Sequence, residues 1–221
     1  MTNWKSNNKK SKIKSFYLKT SNFLLLWNCL PFSKKTMELI PDQARLVYTG
    51  VDYKIFELGA ELSDGTIQQT EIIRGRDSGK VIAIKDDKIL IAQEQKYWKG
   101  EYYTLLWGRV HREENLQEGT KREFLEETGM VIHDMKHIMD FNRMSPIRFQ
   151  ISVFVTHDFV KIADPILRSG EKIKIKEVSF DDFLTIVCSE HFRGDEFKEK
   201  IKEIKKDPNT TKDFHKLLFW N

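Results

Sequence analysis

The chain has 221 residues, of which 40% are hydrophobic and 32% are charged, a composition typical of a globular protein with a full core. Its formal net charge of +4 favours anionic ligands but is weak evidence for nucleic acid as a partner. The two cysteines, Cys29 and Cys188, have neither metal-ligand spacing nor the numbers for a disulfide framework, so we expect a reducing, cytoplasmic compartment.

Residues 1–36 differ from the rest of the chain, because they are basic and polar and contain an apolar run at 23–27. A signal peptide is one interpretation, since a charged segment precedes an apolar one. The run is broken by Asn28, is followed by no small-residue cleavage site, and is too short to span a bilayer. We therefore expect a disordered basic extension without membrane association, and Met37 is an alternative start.

Residues 37–78 are predicted to form a small antiparallel sheet. Strand-like stretches lie at residues 45–50, 52–62 and 66–75, and a Ser-Asp-Gly turn at 63–65 separates the last two. Such a meander has too little apolar surface to be stable alone. We expect it to pack on a second copy of the chain or on the main domain.

Residues 79–221 are predicted to form the main domain, in which strands stand on both sides of one central helix in the sequence. The strands are expected at residues 79–86, 88–95, 101–108, 131–142 and 147–160, the central helix at about 115–128, and three later helices at about 180–189, 195–206 and 210–220. This order predicts the α/β class, as a mixed α/β/α sandwich with the small N-terminal sheet attached.

The stretch from Gly108 to Met130 carries the clearest chemical signal. Glu123, Glu126 and Glu127 stand at i, i+3 and i+4, which in a helix places three carboxylates on one face. The simpler interpretation of such a cluster is an exposed helix face whose glutamates form salt bridges with lysines and arginines. Adjacent carboxylates also suit a hard divalent cation, because magnesium is usually held by a few carboxylates together with substrate phosphates. The residues therefore predict a magnesium–phosphate site.

The same stretch resembles the Nudix box, with every specified position present. The matching residues are Gly108, Glu114, Arg122, Glu123, Phe124, Glu126, Glu127, Gly129 and Met130. A signature this long is far more specific than a lone glycine-rich loop. Nudix enzymes hydrolyse a nucleoside diphosphate linked to another group. The resemblance thus implies a Nudix-type fold and a magnesium-dependent hydrolase, with manganese as a second candidate metal, acting on a small nucleotide substrate.

Roles within the box follow from ligand chemistry. Glu123 and Glu127 are one turn apart and are predicted to reach the same metal ions, with Glu126 binding directly or through water. Arg122 is predicted to pair with a box carboxylate and orient it. Glu114 lies before the helix, where it either holds the loop or adds a ligand. Metal ions in such a site stabilise the leaving phosphate and lower the pKa of the attacking water.

Signals at the two ends of the box predict its helix. Asn115 is a candidate N-cap, and Gly129 stands where a left-handed C-terminal cap is expected. Gly108 is expected to begin a loop that approaches the metal site by its backbone, where a side chain would be in the way.

The order of strands before the box resembles the ADP-ribose pyrophosphatase branch of the Nudix family. In that branch the N-terminal sheet is exchanged or packed across a dimer, so the resemblance implies a homodimer. A glutamate in a late loop often acts there as the general base. Glu171 is the best match and Glu177 the second, while an exposed loop charge is the alternative interpretation of Glu171.

The sequence departs from this branch at positions that touch substrate. Tyr97 stands where the branch often has an arginine, and Leu106-Trp107 replace the usual Pro-Ala before the box glycine. By resemblance to the family, the carbonyl oxygen of Trp107 is also a metal ligand. The candidate substrate-binding residues are Lys96, Tyr97, Trp98 and Trp107. Trp98, Tyr102, Tyr103 and Trp107 are candidates to stack on a base, although strand aromatics more often belong to the core.

Three functions remain open. The first is hydrolysis of a nucleoside diphosphate sugar such as ADP-ribose, which gives a nucleoside monophosphate and a sugar phosphate. The second is a Nudix-fold sensor that binds such a ligand without cleaving it, and the intact box argues against it. The third is an enzyme for RNA 5′ ends. The basic extension lacks the interleaved aromatics of a single-strand binder, so nucleic acid is not the expected partner and we favour the first.

Overall fold

The computed structural model describes residues 38–96, 100–167 and 171–219, without the side chains of Lys96 and Glu171. The predicted extension at 1–36 and the candidate residues Tyr97 and Trp98 lie outside the described residues. In the part of the chain that is described, no helix is long and apolar enough to cross a membrane.

The described residues form ten strands and four helices. The strands are β1 (Arg45–Thr49), β2 (Lys54–Glu61), β3 (Ile67–Arg74), β4 (Ser78–Lys85), β5 (Lys88–Lys96), β6 (Gly100–Thr104), β7 (Leu106–Arg109), β8 (Met130–Arg143), β9 (Ile147–Lys161) and β10 (Glu171–Val178). The helices are α1 (Leu116–Thr128), α2 (Phe180–Cys188), α3 (Asp195–Lys205) and α4 (Pro208–Leu218). All four predicted helices are present, with ends that differ by one or two residues.

The strands belong to one sheet in the order β1-β2-β3-β9-β4-β5-β10. In addition, β6 pairs with β5, β7 with β4 and β8 with β9. β1, β2 and β3 form the predicted antiparallel meander. A short parallel contact, from Ile73 opposite Ile147 to Arg74 opposite Arg148, joins β3 to β9. The N-terminal meander therefore continues the main sheet within one chain.

Alternate residues of the central strands face two different cores. Ile82 and Ile84 of β4 pack with residues of α2, α3 and α4, whereas Val81 and Ala83 pack in a second core with Phe124 of α1. Each of these side chains is at most 3% exposed. One helix thus covers one face of the sheet and three helices cover the other. This confirms the predicted mixed α/β/α sandwich.

The prediction of a single strand over residues 101–108 is wrong, because the structure divides this stretch into β6 and β7. β4 and β5 pair with each other only near their shared turn. Beyond it they separate, with β6 paired to β5 and β7 paired to β4. The chain crosses between them at Leu105, whose side chain is fully buried. This crossing places Trp107 and Gly108 beside β4 and next to α1, the helix of the Nudix box.

β10 was not predicted from the sequence, and it pairs antiparallel with β5 along its length. The signal was present, because Ile173 and Ile175 alternate with lysines, which is the period of a half-buried strand. Both isoleucines pack against the core that contains Phe124. Glu171 begins this strand and stands opposite Lys96.

Candidate active site

Helix α1 begins and ends at the predicted caps. Asn115 has an extended backbone, and its Oδ1 accepts a hydrogen bond from the N–H of Gln117 at 2.9 Å. Gly129 has a φ of 70°, and a Cβ atom there would lie 2.0 Å from the carbonyl oxygen of Ala163. Glycine is therefore required at this position for both conformation and space. With these ends fixed, α1 buries Phe124 and directs its glutamates away from the core.

Three of the box glutamates, Glu123, Glu126 and Glu127, line a single pocket of about 130 Å³. Gly108 of β7 forms part of the pocket wall, and a Cβ atom there would lie 2.2 Å from Cβ of Glu123. Any larger residue would push the helix away from the strand. The sequence prediction that the backbone approaches the site at this glycine agrees with this close packing.

Arg122 contacts three carboxylates at once. Its Nε and Nη2 atoms donate to Glu114 at 2.9 and 3.0 Å. Its Nη1 atom donates to Glu123 at 2.9 Å and to Glu126 at 3.1 Å. The hydrogen bonds from Arg122, assisted by the backbone N–H of His111, lower the pKa of Glu114 from its usual value. Arg122 thus holds the loop carboxylate and two pocket carboxylates in one network.

Glu127 is held from β7. The backbone N–H of Trp107 donates to its Oε2 at 3.2 Å, and the indole Nε1 of the same tryptophan donates to Glu94 at 3.3 Å. Trp107 therefore positions one carboxylate through its backbone and another through its side chain.

Glu94 is a pocket residue that the sequence analysis missed. Its side chain is 3% exposed, lines the same pocket as the box glutamates and accepts a hydrogen bond from the hydroxyl of Tyr102 at 2.5 Å. The signal was its place on β5, where Leu90 and Ala92, on the same side of the strand, are both core residues. A carboxylate in line with core positions is costly unless it is hydrogen-bonded, and is often functional.

Arg76 is the second missed residue. It lines the pocket beside the glutamates, its side chain is 17% exposed, and its Nη2 lies 2.7 Å from Asp52. Its Nε has no hydrogen-bond partner among the residues that the structure describes. A guanidinium with a free donor beside metal-type carboxylates is suited to bind a phosphate oxygen. No local pattern in the sequence distinguishes Arg76 from other arginines.

The remaining candidates from the sequence are Glu177, Tyr102 and Tyr103. Glu177 is 57% exposed and lies 3.9 Å from Lys85, at the end of β10 that is remote from Glu171. Tyr103 accepts a hydrogen bond from Lys176 at 3.1 Å and packs against the core under the helices. Tyr102 is 7% exposed. The two tyrosines therefore fit the alternative in which strand aromatics belong to the core.

The donor set of the pocket fits magnesium. Among the described residues, no group of three acidic, histidine or cysteine side chains is close enough to hold a metal ion as it stands. The four carboxylates that line the pocket, Glu94, Glu123, Glu126 and Glu127, are nevertheless the hard oxygen ligands that magnesium prefers. Their number and type match a metal site that also receives substrate phosphates.

Residues 76–201 match the family model of the NUDIX domain, which covers more than half of the chain. The chain belongs to the Nudix family. The match confirms the predicted enzyme class, a Nudix pyrophosphohydrolase, and its span contains both the box and the newly found Arg76 and Glu94.

Solved structures agree with the family at the level of fold. A protein described as an ADP compounds hydrolase is 15% identical, with a TM-score of 0.56, and the match covers 79% of this chain and 96% of that one. A NUDIX hydrolase from Nitrosomonas europaea is 16% identical, with a TM-score of 0.50, and the match covers 65% of this chain and 90% of that one. At these identities the likeness shows a shared fold alone. A comparison with curated proteins gave no match.

Proposed function

We propose that this Nudix enzyme hydrolyses the diphosphate bond of a nucleoside diphosphate linked to another moiety, with magnesium as cofactor and manganese as a second candidate. ADP-ribose or a related nucleotide sugar is the proposed substrate, and the products are a nucleoside monophosphate and a sugar phosphate. The observation that carries the proposal is the convergence of four carboxylates and Arg76 on one pocket. The carboxylates suit a metal, and the arginine suits the diphosphate.

Glu123, Glu126 and Glu127 are the proposed metal ligands, joined by the carbonyl of Trp107 and, either directly or through Arg122, by Glu114. When bound, magnesium neutralises phosphate charge and lowers the pKa of a bound water. Glu114 accepts two hydrogen bonds from Arg122 and one from the N–H of His111, which supports a positioning role over a ligand role.

In the proposed reaction, the oxygen of a water molecule bonds to phosphorus while the bond to the bridging oxygen breaks. Glu171 is proposed to accept the proton of this water, on the resemblance to the ADP-ribose branch, and Arg76 to bind a phosphate oxygen. Lys96, Tyr97 and Trp98 remain proposed substrate contacts, on the resemblance to the ADP-ribose branch. Glu94 is held in place by Tyr102 and Trp107.

ADP-ribose is the first candidate substrate for two reasons. The strand order before the box resembles the ADP-ribose branch, and one solved structure of similar fold is described as an ADP compounds hydrolase. The test is product analysis with ADP-ribose, other nucleotide sugars, dinucleoside polyphosphates and triphosphorylated RNA, with and without magnesium. We expect cleavage of ADP-ribose or a relative by the native protein and none by Glu123→Gln. Glu118→Gln on the exposed face of α1 is the matched control and should cleave normally.

Other outcomes of this panel would support the alternatives. A ligand that raises the melting temperature without being cleaved would replace the proposal with the sensor. Cleavage of triphosphorylated RNA alone, with strong salt dependence of binding, would favour the RNA enzyme.

We also propose that β1, β2 and β3 mediate a homodimer. This sheet and its loops expose large apolar side chains, including Tyr48 at 58%, Val51 at 88% and Ile67 at 69%. Exposed apolar patches of this kind mark interaction surfaces. On the resemblance to the ADP-ribose branch, the proposed partner for this surface is a second copy of the chain. Light scattering should give twice the mass of one chain.

The variant Ile67→Asp should be a folded monomer, because the charge would lie in the interface. Ile162→Asp is the matched control, since Ile162 is 63% exposed outside this sheet, and it should remain a dimer. A monomeric native protein would overturn the proposal.

A further inference from the structure

A second and larger cavity adjoins the active-site pocket. Its volume is about 630 Å³, and Trp107 and Arg109 line both spaces. On the far side of Trp107 its wall includes Lys80 of β4, Arg143 at the end of β8 and Arg193 just before α3. The proposed function uses none of these three cations.

Three of the aromatic rings that line this cavity have a cation over one face. Three cation–ring pairs line the wall: Lys80 Nζ lies 5.5 Å from the ring centroid of Trp107, Arg193 Cζ 3.8 Å from that of Tyr102, and Arg143 Cζ 5.7 Å from that of Phe149. Each ring thus has one face occupied by a cation. The cavity therefore offers positive charge where the sequence had indicated aromatic surfaces for stacking on a base.

Lys80 is the most informative of these cations. It is 7% exposed, and its side-chain amine makes no hydrogen bond or ion pair with the residues that the structure describes. A Cβ atom at Gly194 would lie 3.5 Å from its Nζ, so the amine lies close against the backbone before α3. Burial lowers the pKa of Lys80, and the carboxylates of Glu196, Glu94 and Glu127 oppose this only from a distance. The side chain is largely buried but lines the cavity, and an anionic ligand there would give the amine a close partner of opposite charge.

The other charges around the cavity leave a cationic excess. Five cations line it, Lys80, Arg109, Arg143, Arg193 and Lys198, against three acids, Glu190, Asp195 and Glu196. Only one close pair joins the two sets among these described residues, between Arg143 Nε and Glu196 at 3.8 Å. The excess of two positive charges and the forked arginine donors suit a group with several anionic oxygens.

We propose that this cavity binds a phosphate monoester carried by the substrate in addition to its diphosphate. The preferred substrates are then diphosphate compounds in which one flanking group bears its own phosphate. The inference rests on the proposed function, because it assigns the cavity to the same substrate whose diphosphate occupies the neighbouring pocket. Trp107 separates the two spaces, so one molecule can place its diphosphate on one side of the indole and its phosphate monoester on the other.

The first arm of the test needs no turnover. Inorganic phosphate is titrated calorimetrically into the native protein, Lys80→Met and Lys85→Met, without metal. Lys85 lies on the same strand but outside the cavity, so its variant is the matched control. We expect phosphate to bind Lys80→Met at least 10-fold more weakly than the native protein and Lys85→Met. Equal binding to all three, or no binding to the native protein, would overturn the proposal, and Glu123→Gln should bind phosphate as the native protein does.

The second arm compares substrates that differ by one phosphate monoester, namely ADP-ribose against its 2′-phosphate and dephospho-coenzyme A against coenzyme A. We expect kcat/KM to favour the phosphorylated member of at least one pair by 10-fold or more, and Lys80→Met to remove the preference. Arg143→Met, at a side chain 45% exposed, should do the same and serves if Lys80→Met does not fold. Phosphate binding without any such preference would assign the cavity to free phosphate and overturn the substrate claim. If no substrate were turned over, that result would count against the proposed function. The phosphate titration would still test whether the cavity binds phosphate.

Discussion

The backbone N–H of Trp107 donates a hydrogen bond to Oε2 of Glu127 at 3.2 Å. β7 pairs with β4, so this N–H points away from that strand toward the box helix. In a strand the N–H and C=O of one residue point to the same side. The carbonyl of Trp107 is therefore directed toward the glutamates as well, which supports the proposal that it is a metal ligand.

The variant Glu127→Gln should lose at least about 100-fold in turnover, because residues that merely orient a metal ligand already account for about 10- to 100-fold. Its melting temperature should change little, since the amide still accepts from the N–H of Trp107. Glu118→Gln provides the comparison on the same helix. The measurement is kcat against magnesium concentration, and unchanged turnover at saturating magnesium would remove Glu127 from the ligand set.

The variant Arg122→Met should destabilise the protein by about 2 kcal/mol at pH 7, because charge-assisted hydrogen bonds to several carboxylates are lost. The pKa of Glu114 in the folded protein lies below its ordinary value of 4.5, chiefly through its hydrogen bonds with Arg122. The stability that Glu114 gains is therefore complete above this value and is lost as the pH falls through its lowered pKa.

Urea unfolding of native protein and Arg122→Met across this range measures the effect. The difference in unfolding free energy should be largest at neutral pH and should shrink below pH 4.5. Lys121→Met, at the neighbouring position on α1, should show a small difference at every pH. A difference for Arg122→Met that does not vary with pH would contradict the role assigned to Glu114.

The variant Gly108→Ala should reduce turnover about 100-fold, which is a typical cost of displacing catalytic groups by about 1 Å. The new Cβ atom would lie 2.2 Å from Cβ of Glu123, so the helix or the strand must move, at a cost of about 1–3 kcal/mol. Gly59→Ala in β2 should leave turnover unchanged, because Gly59 lies outside the site and its new Cβ would meet side chains alone, Cγ2 of Ile67 at 3.1 Å and Nε2 of Gln69 at 3.6 Å. Normal turnover in Gly108→Ala would show that the site remains active when β7 and α1 are moved apart.

The variant Glu171→Gln should lower kcat by at least about 100-fold with little change in KM, since removal of a general base costs about 10²–10⁴-fold. Glu177→Gln on the same strand is the matched control and should be fully active, because Glu177 lies beside Lys85. Full turnover in Glu171→Gln would show that Glu171 is not the general base. Glu94, the buried carboxylate of the pocket, would then be the next candidate.

The box and its helix could be predicted because their signals are local. The N-cap at Asn115, the C-cap at Gly129 and the spacing of the glutamates all depend on residues within one helix length. The alternation of apolar residues gave most of the strands in the same way. β10 was missed although Ile173 and Ile175 carry that alternation, because the resemblance to the ADP-ribose branch placed Glu171 in a late loop.

The rest depends on contacts between residues that are distant in sequence. The division at Leu105 arises because β4 and β5 separate, which no property of residues 101–108 reveals. Arg76 pairs with Asp52, and the amine of Lys80 lies between the ring of Trp107 and the segment before α3. Such residues look like ordinary surface charges in the sequence, so only the folded chain identifies them.

The most direct test of the central claim is product analysis after incubation of ADP-ribose with the protein and magnesium in ¹⁸O-labelled water. Hydrolysis of the diphosphate bond predicts AMP and ribose 5-phosphate, with the label in the phosphate of one product, and no reaction with Glu123→Gln. Release of unlabelled products would exclude attack of water on phosphorus. Intact ADP-ribose, together with a raised melting temperature, would contradict the enzyme and support the sensor.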